Sequence, residues 1–339
     1  MRSFVVAGML GVLMLVPAVA AADDRPDVRQ EQFDTYCTPT DPALDELSGL
    51  TFTDGVLYAI GDSGTDHRVA VLDESCAVTR WIDVPVDPYD VEDLASHDGQ
   101  LWLADVGDNL RRRDTVALTR IDPATGEGEL YRLVYPDGPH DAETLLIEPG
   151  GRPVIVTKEP SGGSGVYVPE SDATVSELPS PGPTALTKVG DLPFEGTDTP
   201  GGPPFITGSM LATGGAVSTD GTTVAVRTYN DVYLFSVADG DFVQAVQGDP
   251  IVVALPAQPQ GEAVAFDNDG ALLVASEAAG GQLPPIERLV GATSLVSPPP
   301  APAPTETSSG GRWTFGALAG AGVLVFASIL YTFGRARKQ

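Results

Sequence analysis

The chain has little histidine, cysteine or lysine: three, two and three residues respectively among 339. Cys37 and Cys76, with His67, His97 and His140, are too few for a zinc ribbon or a multinuclear thiolate cluster. A hydrolytic nucleophile motif is lacking too. "GDSG" (61–64) has the look of a serine-protease signature, but the Gly-Pro that should follow it and an Ala-Ala-His-Cys partner are missing. "SGGSG" (161–165) is not a nucleophile elbow, because Val166 stands two residues after Ser164. The 3.6-residue apolar period of amphipathic helices is missing between residues 30 and 296.

Positive charge is the other shortage. All 47 acidic residues lie between Asp23 and Glu306. Of the 19 basic residues, Arg2, Arg335, Arg337 and Lys338 fall outside the exported part (22–312), which leaves 15 against 47 and a net charge of −32 there. A field of that sign repels nucleic acid and anionic lipid and favours cations.

What is present begins with two ends that have their own logic. Residues 1–21 carry Arg2, an apolar run from Phe4 to Val16, and the small-residue ending after Pro17, the layout of a secretory signal peptide. Residues 313–333 run 21 residues without a charge, enough helix to cross a bilayer core of about 30 Å. Trp313 and Tyr331 stand at its ends, and the basic tail 334–339 follows, which the positive-inside rule keeps in the cytoplasm. Residues 297–312 form a Pro-rich, then Ser/Gly-rich linker. The expectation is a single-pass protein of the cell membrane, with its ectodomain (22–296) outside. In an oxidising compartment Cys37 and Cys76 pair by default.

The ectodomain repeats itself. "LSGLTFTDGVLYAIGDSG" (47–64), "VEDLASHDGQLWLADVGD" (91–108), "AETLLIEPGGRPVIVTKE" (142–159), "GGAVSTDGTTVAVRTY" (214–229) and "GEAVAFDNDGALLVASE" (261–277) each read as strand, tight turn and second strand. The turns Asp54-Gly55, Asp98-Gly99, Gly150-Gly151, Asp220-Gly221 and Asp269-Gly270 fall in register. "FDNDG" (266–270) lacks the acidic twelfth position of a calcium loop. Taking Ser48, Glu92, Glu143, Gly215 and Glu262 as equivalent, the steps are 44, 51, 72 and 47 residues. Periods of about 40–50 residues predict an all-β chain folded as a β-propeller. Five blades are visible. "LPFEGTDTPGGPPFITG" (192–208) reads as either a loop or a degenerate sixth, and "FDTYCTP" (33–39) could complete the last blade; a solenoid or open sandwich is the alternative fold.

In a propeller the start of each blade's first strand and the end of its second meet at one mouth of the central channel. That geometry gathers Glu92, Glu143, Glu262, Glu277, Asp62, Asp105, Lys158, Arg227 and Tyr229. Crowded carboxylates must be protonated, paired or bound to a cation. Expected ligand-binding residues are therefore Glu92, Glu143, Lys158, Arg227, Tyr229, Glu262 and Glu277. Expected metal ligands are Asp62, Glu92, Asp105, Glu143 and Glu262, and all-oxygen ligation suits Ca2+. The alternative is a structural network of strand-end caps. His140 and Glu143 are the candidates for proton transfer. "LRRRD" (110–114) reads either as an anion clamp or as arginines offsetting an acidic surface.

Together "DVEDLA…LWLADVGDN…R", "HDAETLLI…PVIVTKE", "TGGAVSTDGTTVAVRTY" and "QGEAVAF…LLVASE" resemble a group of exported, actinobacterial-type β-propeller proteins. More distantly they resemble the phytase-like and esterase-like propeller families. The resemblance covers roughly residues 45–280. It implies an acidic, calcium-filled mouth that binds phosphate esters. The signature acidic clusters of calcium-dependent phytases have no residue-by-residue match here, so no catalytic residue is carried over. Two functions follow as expectations: a Ca2+-assisted hydrolase of phosphate or carboxylic esters, or a non-catalytic module that binds a small ligand, a surface protein or a glycan.

Overall fold

The computed structural model describes residues 25–204 and 207–296. The expected signal peptide (1–21), linker (297–312), transmembrane segment (313–333) and basic tail (334–339) lie outside the described residues. No helix among the described residues is long and apolar enough to cross a membrane.

Nearly all the regular structure is antiparallel β. Blade 1 comprises Leu47–Thr53, Val56–Gly61, Arg68–Leu72 and Val78–Asp83. Blade 2 comprises Asp93–His97, Gln100–Asp105, Val116–Ile121 and Gly128–Val134. Blade 3 comprises Ala142–Ile147, Pro153–Thr157, Gly163–Pro169 and Thr184–Pro193, and its outer strand pairs in parallel with the outer strand of blade 2. Blade 4 comprises Ala212–Val217, Thr223–Thr228, Asp231–Ser236 and Ile251–Ala254, with Val28–Arg29 added in parallel at its edge. Blade 5 comprises Gln260–Phe266, Leu272–Glu277 and Ile286–Leu289, and the N-terminal Asp34–Cys37 supplies its fourth strand.

The first strands touch in the cyclic order of blades 1, 2, 3, 4, 5 and back to 1. Five apolar clusters fill the five interfaces between neighbouring blades. Tyr58, Leu94 and Leu103 pack between blades 1 and 2, and Leu57, Ala70 and Leu273 between blades 5 and 1. A ring closed in both hydrogen bonding and core packing is a five-bladed β-propeller. It excludes a solenoid, whose ends stay apart. Residues 192–208 are not a sixth blade: among the described residues no strand stands between Pro193 and Ala212, only a 3-10 turn at Gly208–Met210. Thr197 and Thr199 tie that loop to the two Asp231 carboxylate oxygens, each at 2.6 Å.

Closure depends on the N-terminal strand, and a Cys37–Cys76 disulfide joins that strand to the outer turn of blade 1. The hairpin turns follow the Asp-Gly logic. Asp54 and Gly55 both have positive φ (52° and 78°), as do Asp98 and Gly99 (48° and 71°), which matches the twist of paired strands. In "FDNDG" the Asp267 Oδ1 accepts from the Asp269 and Ala271 amides at 2.9 Å each, a turn rather than a cation loop.

Candidate cation site at the channel mouth

A bulge stands at the start of nearly every first strand. The ladder skips a residue between Leu47 and Gly49, Ala142 and Thr144, Ala212 and Gly214, and Gly261 and Val264. In blade 2 both Glu92 and Asp93 face Ala104. Bulges re-aim side chains, and here they set Ser48, Glu92, Glu143, Thr213 and Glu262 at the mouth. The fourth-blade counterpart is thus Thr213, not Gly215 as the repeat spacing suggested. Ser48 and Thr213 donate across to the next blade, to Glu92 O (2.7 Å) and Gly261 O (3.0 Å). The glutamates have no such outlet.

Two carboxylate triads result. Glu46, Asp62 and Glu277 bring one oxygen each within 4.8 Å of one another, and so do Glu92, Asp141 and Glu143. Glu262 lies between them, its carboxyl coupled electrostatically to Glu277 and Asp62. Asp90 adds an eighth carboxylate near Glu92 and Asp141. Burial raises Asp62 to about 6, with Glu46, Asp90 and Asp66 adding to the rise. Burial also raises Glu277 to about 7 and Glu143 to about 8, the latter against the pull of Lys158. Glu92 and Glu262 are raised well above the usual carboxylate range, by burial first and by neighbouring carboxylates second.

Lys158 is the cation inside this group. Its ammonium donates to Glu143 Oε1 and, at 2.9 Å, to the Tyr229 hydroxyl. Burial lowers the Lys158 pKa, and Glu143, Tyr229 and Glu262 together more than reverse that, so the ammonium stays charged. It neutralises the Glu92–Asp141–Glu143 side. Among the described residues no side-chain cation serves Glu46, Asp62 and Glu277 in the same way. Asp62 Oδ1, Glu277 Oε1, Glu262 Oε2 and Glu143 Oε2 are buried and receive no hydrogen bond among the described residues, although Glu262 and Glu277 are only 3% exposed. Buried charged oxygens without donors are costly unless a proton or a metal ion takes that place. The oxygens, their number and their hardness fit Ca2+.

Several expected site residues are committed elsewhere. Arg227, expected to orient an anionic ligand, is fully buried and spends its guanidinium on the Ala263 and Ala275 carbonyls (2.9 and 3.0 Å), Thr228 O and Gln258. It rivets blade 4 to blade 5. Asp105, expected as a metal ligand, accepts from the Tyr89 and Asp90 amides and pairs with Arg113 at 2.8 Å. His140 contacts Glu159 and Asp137 at 3.3 and 3.0 Å and Tyr167 OH at 3.0 Å, so both of its nitrogens are engaged outside the triads. In "LRRRD", Arg111 pairs with Glu159 and Arg113 with Asp105, so these two offset acidic neighbours rather than clamp an anion.

The sequence matches no family model and no curated protein. Among solved structures it is similar to a luciferin-regenerating enzyme (14% identity, 77% of this chain and 95% of that one, TM-score 0.44). It is also similar to glutaminyl cyclase from Myxococcus xanthus (11%, 77% and 97%, 0.46) and virginiamycin B lyase from Staphylococcus aureus (15%, 77% and 71%, 0.35). Likeness at this level assigns no activity to this chain. The blade count and ring closure rest on its own strand pairing.

Asp141, Asp90 and Glu46 belong to the mouth but each sits two positions before the repeat's equivalent residue. Only the bulge and the loop entering it bring them in. Asp93 has a different role. It is fully buried, and its carboxylate accepts the Leu94 and Leu145 amides at 2.8 Å and the Gly215 amide at 3.2 Å.

Proposed function

We propose that this chain is a membrane-tethered, outward-facing propeller whose mouth binds a hard divalent cation, Ca2+ by the chemistry of its donors. The cation sits against Glu46, Asp62 and Glu277, with Glu262 beside them. One observation carries this reading: one buried oxygen each of Asp62, Glu277 and Glu262 has no donor among the described residues, while Lys158 lies against the opposite triad. The negative field of the ectodomain would concentrate such a cation at the mouth. The C-terminal run 313–333 and the basic tail support the tether.

A second reading is turnover of an ester held between the cation and Lys158. It is favoured by the Lys158–Tyr229 contact: two of the three ammonium hydrogens are used, and the third has no acceptor among the described residues. Thermal melting with Ca2+ and with chelator tests the first reading. A melting temperature that rises with Ca2+ and falls with chelator supports it; indifference to both removes it. A screen on ester and phosphoester substrates, with Glu92→Gln and Glu143→Gln as comparisons, tests the second. Activity unaffected by either substitution would clear the mouth of a catalytic part.

A further inference from the structure

The two acidic triads of the mouth are alike in number, donor type and spacing, yet among the described residues an ammonium stands against only one of them. Glu92, Asp141 and Glu143 are all buried, and each brings one oxygen within 4.8 Å of the others. Two blades fix them. Glu92 stands just before the first strand of blade 2, where its amide donates to Ala104 O at 2.9 Å. Asp141 and Glu143 flank Ala142, which starts the first strand of blade 3. The Asp141 carboxylate accepts the Asp108 amide at 2.8 Å, and its carbonyl accepts the Lys158 amide at 2.8 Å. That last bond sets the root of the Lys158 side chain beside the triad. The ammonium then donates to Glu143 Oε1 and to the Tyr229 hydroxyl, and it stands 5.2 Å from the centroid of the Tyr229 ring. Burial raises the Glu92 and Asp141 pKa values, and the Lys158 charge opposes that rise at both, so it acts on all three carboxylates. The fit is incomplete. Glu143 Oε2 receives no hydrogen bond among the described residues although Glu143 is only 2% exposed. An ammonium offers three directed hydrogens, whereas a calcium ion gathers about six to eight oxygens from any direction. Asp90, which acts electrostatically on Glu92 and faces Asp141, supplies a fourth carboxylate.

We propose that the Glu92–Asp141–Glu143 triad is a second divalent-cation site, occupied by the Lys158 ammonium, and that Lys158 is the residue that holds the mouth to a single metal ion. A tethered ammonium cannot diffuse away, and a divalent ion entering this triad meets its charge at hydrogen-bonding distance. Arg227, the other cation expected at the mouth, is not an alternative occupant, because its guanidinium is bound to the Ala263 and Ala275 carbonyls. The mouth therefore answers to Ca2+ as one independent site rather than as a coupled pair, with a fixed positive charge beside the metal. The count of one ion rests on the reading of Glu46, Asp62 and Glu277 as the metal site; the closing of the other triad by Lys158 does not.

The test counts the Ca2+ ions bound by the full chain in equilibrium dialysis. Wild type binds one ion with a single-site isotherm. Lys158→Met, which keeps an unbranched stem and removes the charge, binds one more. Lys158→Arg, which keeps the charge, stays at the wild-type count. Adding Glu92→Gln to Lys158→Met removes the extra ion or weakens it at least tenfold, which places it at this triad. Where Lys158→Met does not fold, Lys158→Gln, which retains an N–H donor for Glu143 and Tyr229 without the charge, is counted in its place and gains the same ion. An unchanged count in the neutral variant overturns the inference. So does a wild type that already binds two ions, or an extra ion that Glu92→Gln leaves at full affinity. Failure of the Glu46–Asp62–Glu277 site reads differently: it lowers the count of every protein by one and leaves the gain on removing the Lys158 charge intact.

Discussion

Asp93 accepts the Gly215 amide at 3.2 Å although 122 residues separate the two. First strands of a propeller turn one edge toward the channel, and the amides on that edge have no ladder partner. One buried carboxylate meets this need for blades 2, 3 and 4, through Leu94, Leu145 and Gly215. Removing it orphans three buried donors, at about 1–3 kcal/mol each before relaxation. Asp93→Ala is therefore expected to cost about 3 kcal/mol or more in urea unfolding, and Asp93→Asn, which keeps an acceptor oxygen, distinctly less. A loss under about 0.5 kcal/mol for the alanine variant would contradict the role.

The mouth makes stability depend on pH in an unusual direction. Asp62 is raised to about 6, and Glu277 and Asp93 to about 7, in each case by burial first. Their folded pKa values exceed the unfolded ones, so the folded state holds extra protons between about pH 4 and 7. Without metal, stability should rise as pH falls from 8 to 5. Saturating Ca2+ should flatten or reverse that slope, because the cation stabilises the ionised carboxylates. Melting temperatures at four pH values, with chelator and with Ca2+, check both signs.

The repeat and its period were legible in the sequence because strand, turn and strand recur with Asp-Gly at the tip. The N-terminal closing strand was legible as a shortage in the last repeat. The bulges were not, since a bulge is a matter of register and leaves no composition signal. That is why Gly215 stood in for Thr213. Arg227 and Asp105 looked like ligands because position alone cannot show that backbone carbonyls and amides already occupy their polar atoms.

Gly107 fits the mouth only without a side chain. A methyl there would overlap the Glu92 carboxylate and lie 2.7 Å from Asp90 Oδ2. Gly107→Ala should destabilise the apo protein by about 1–3 kcal/mol and displace Asp90 and Glu92. Denaturant unfolding gives the first, and a crystal structure of the variant gives the second. An unchanged midpoint would show the two carboxylates to be less tightly held than their burial indicates.

The disulfide acts at the seam of the ring. It closes 39 residues and ties the strand that completes blade 5 to blade 1. Replacing Cys37 and Cys76 together by alanine should cost about 2–4 kcal/mol. Hydrogen exchange should show protection lost first at Asp34–Cys37 and Ile286–Leu289. Uniform loss around all five blades would mean that closure is not local to this seam.

Direct Ca2+ binding by equilibrium dialysis tests the central claim most sharply, with wild type compared against Glu277→Gln and Glu262→Gln. The account predicts saturable binding by wild type, at least tenfold weaker binding by Glu277→Gln, and metal-free melting temperatures that rise in both variants, because each removes an unpaired buried charge. Wild type that binds no Ca2+, or a Glu277→Gln variant that binds it as tightly as wild type, would contradict it.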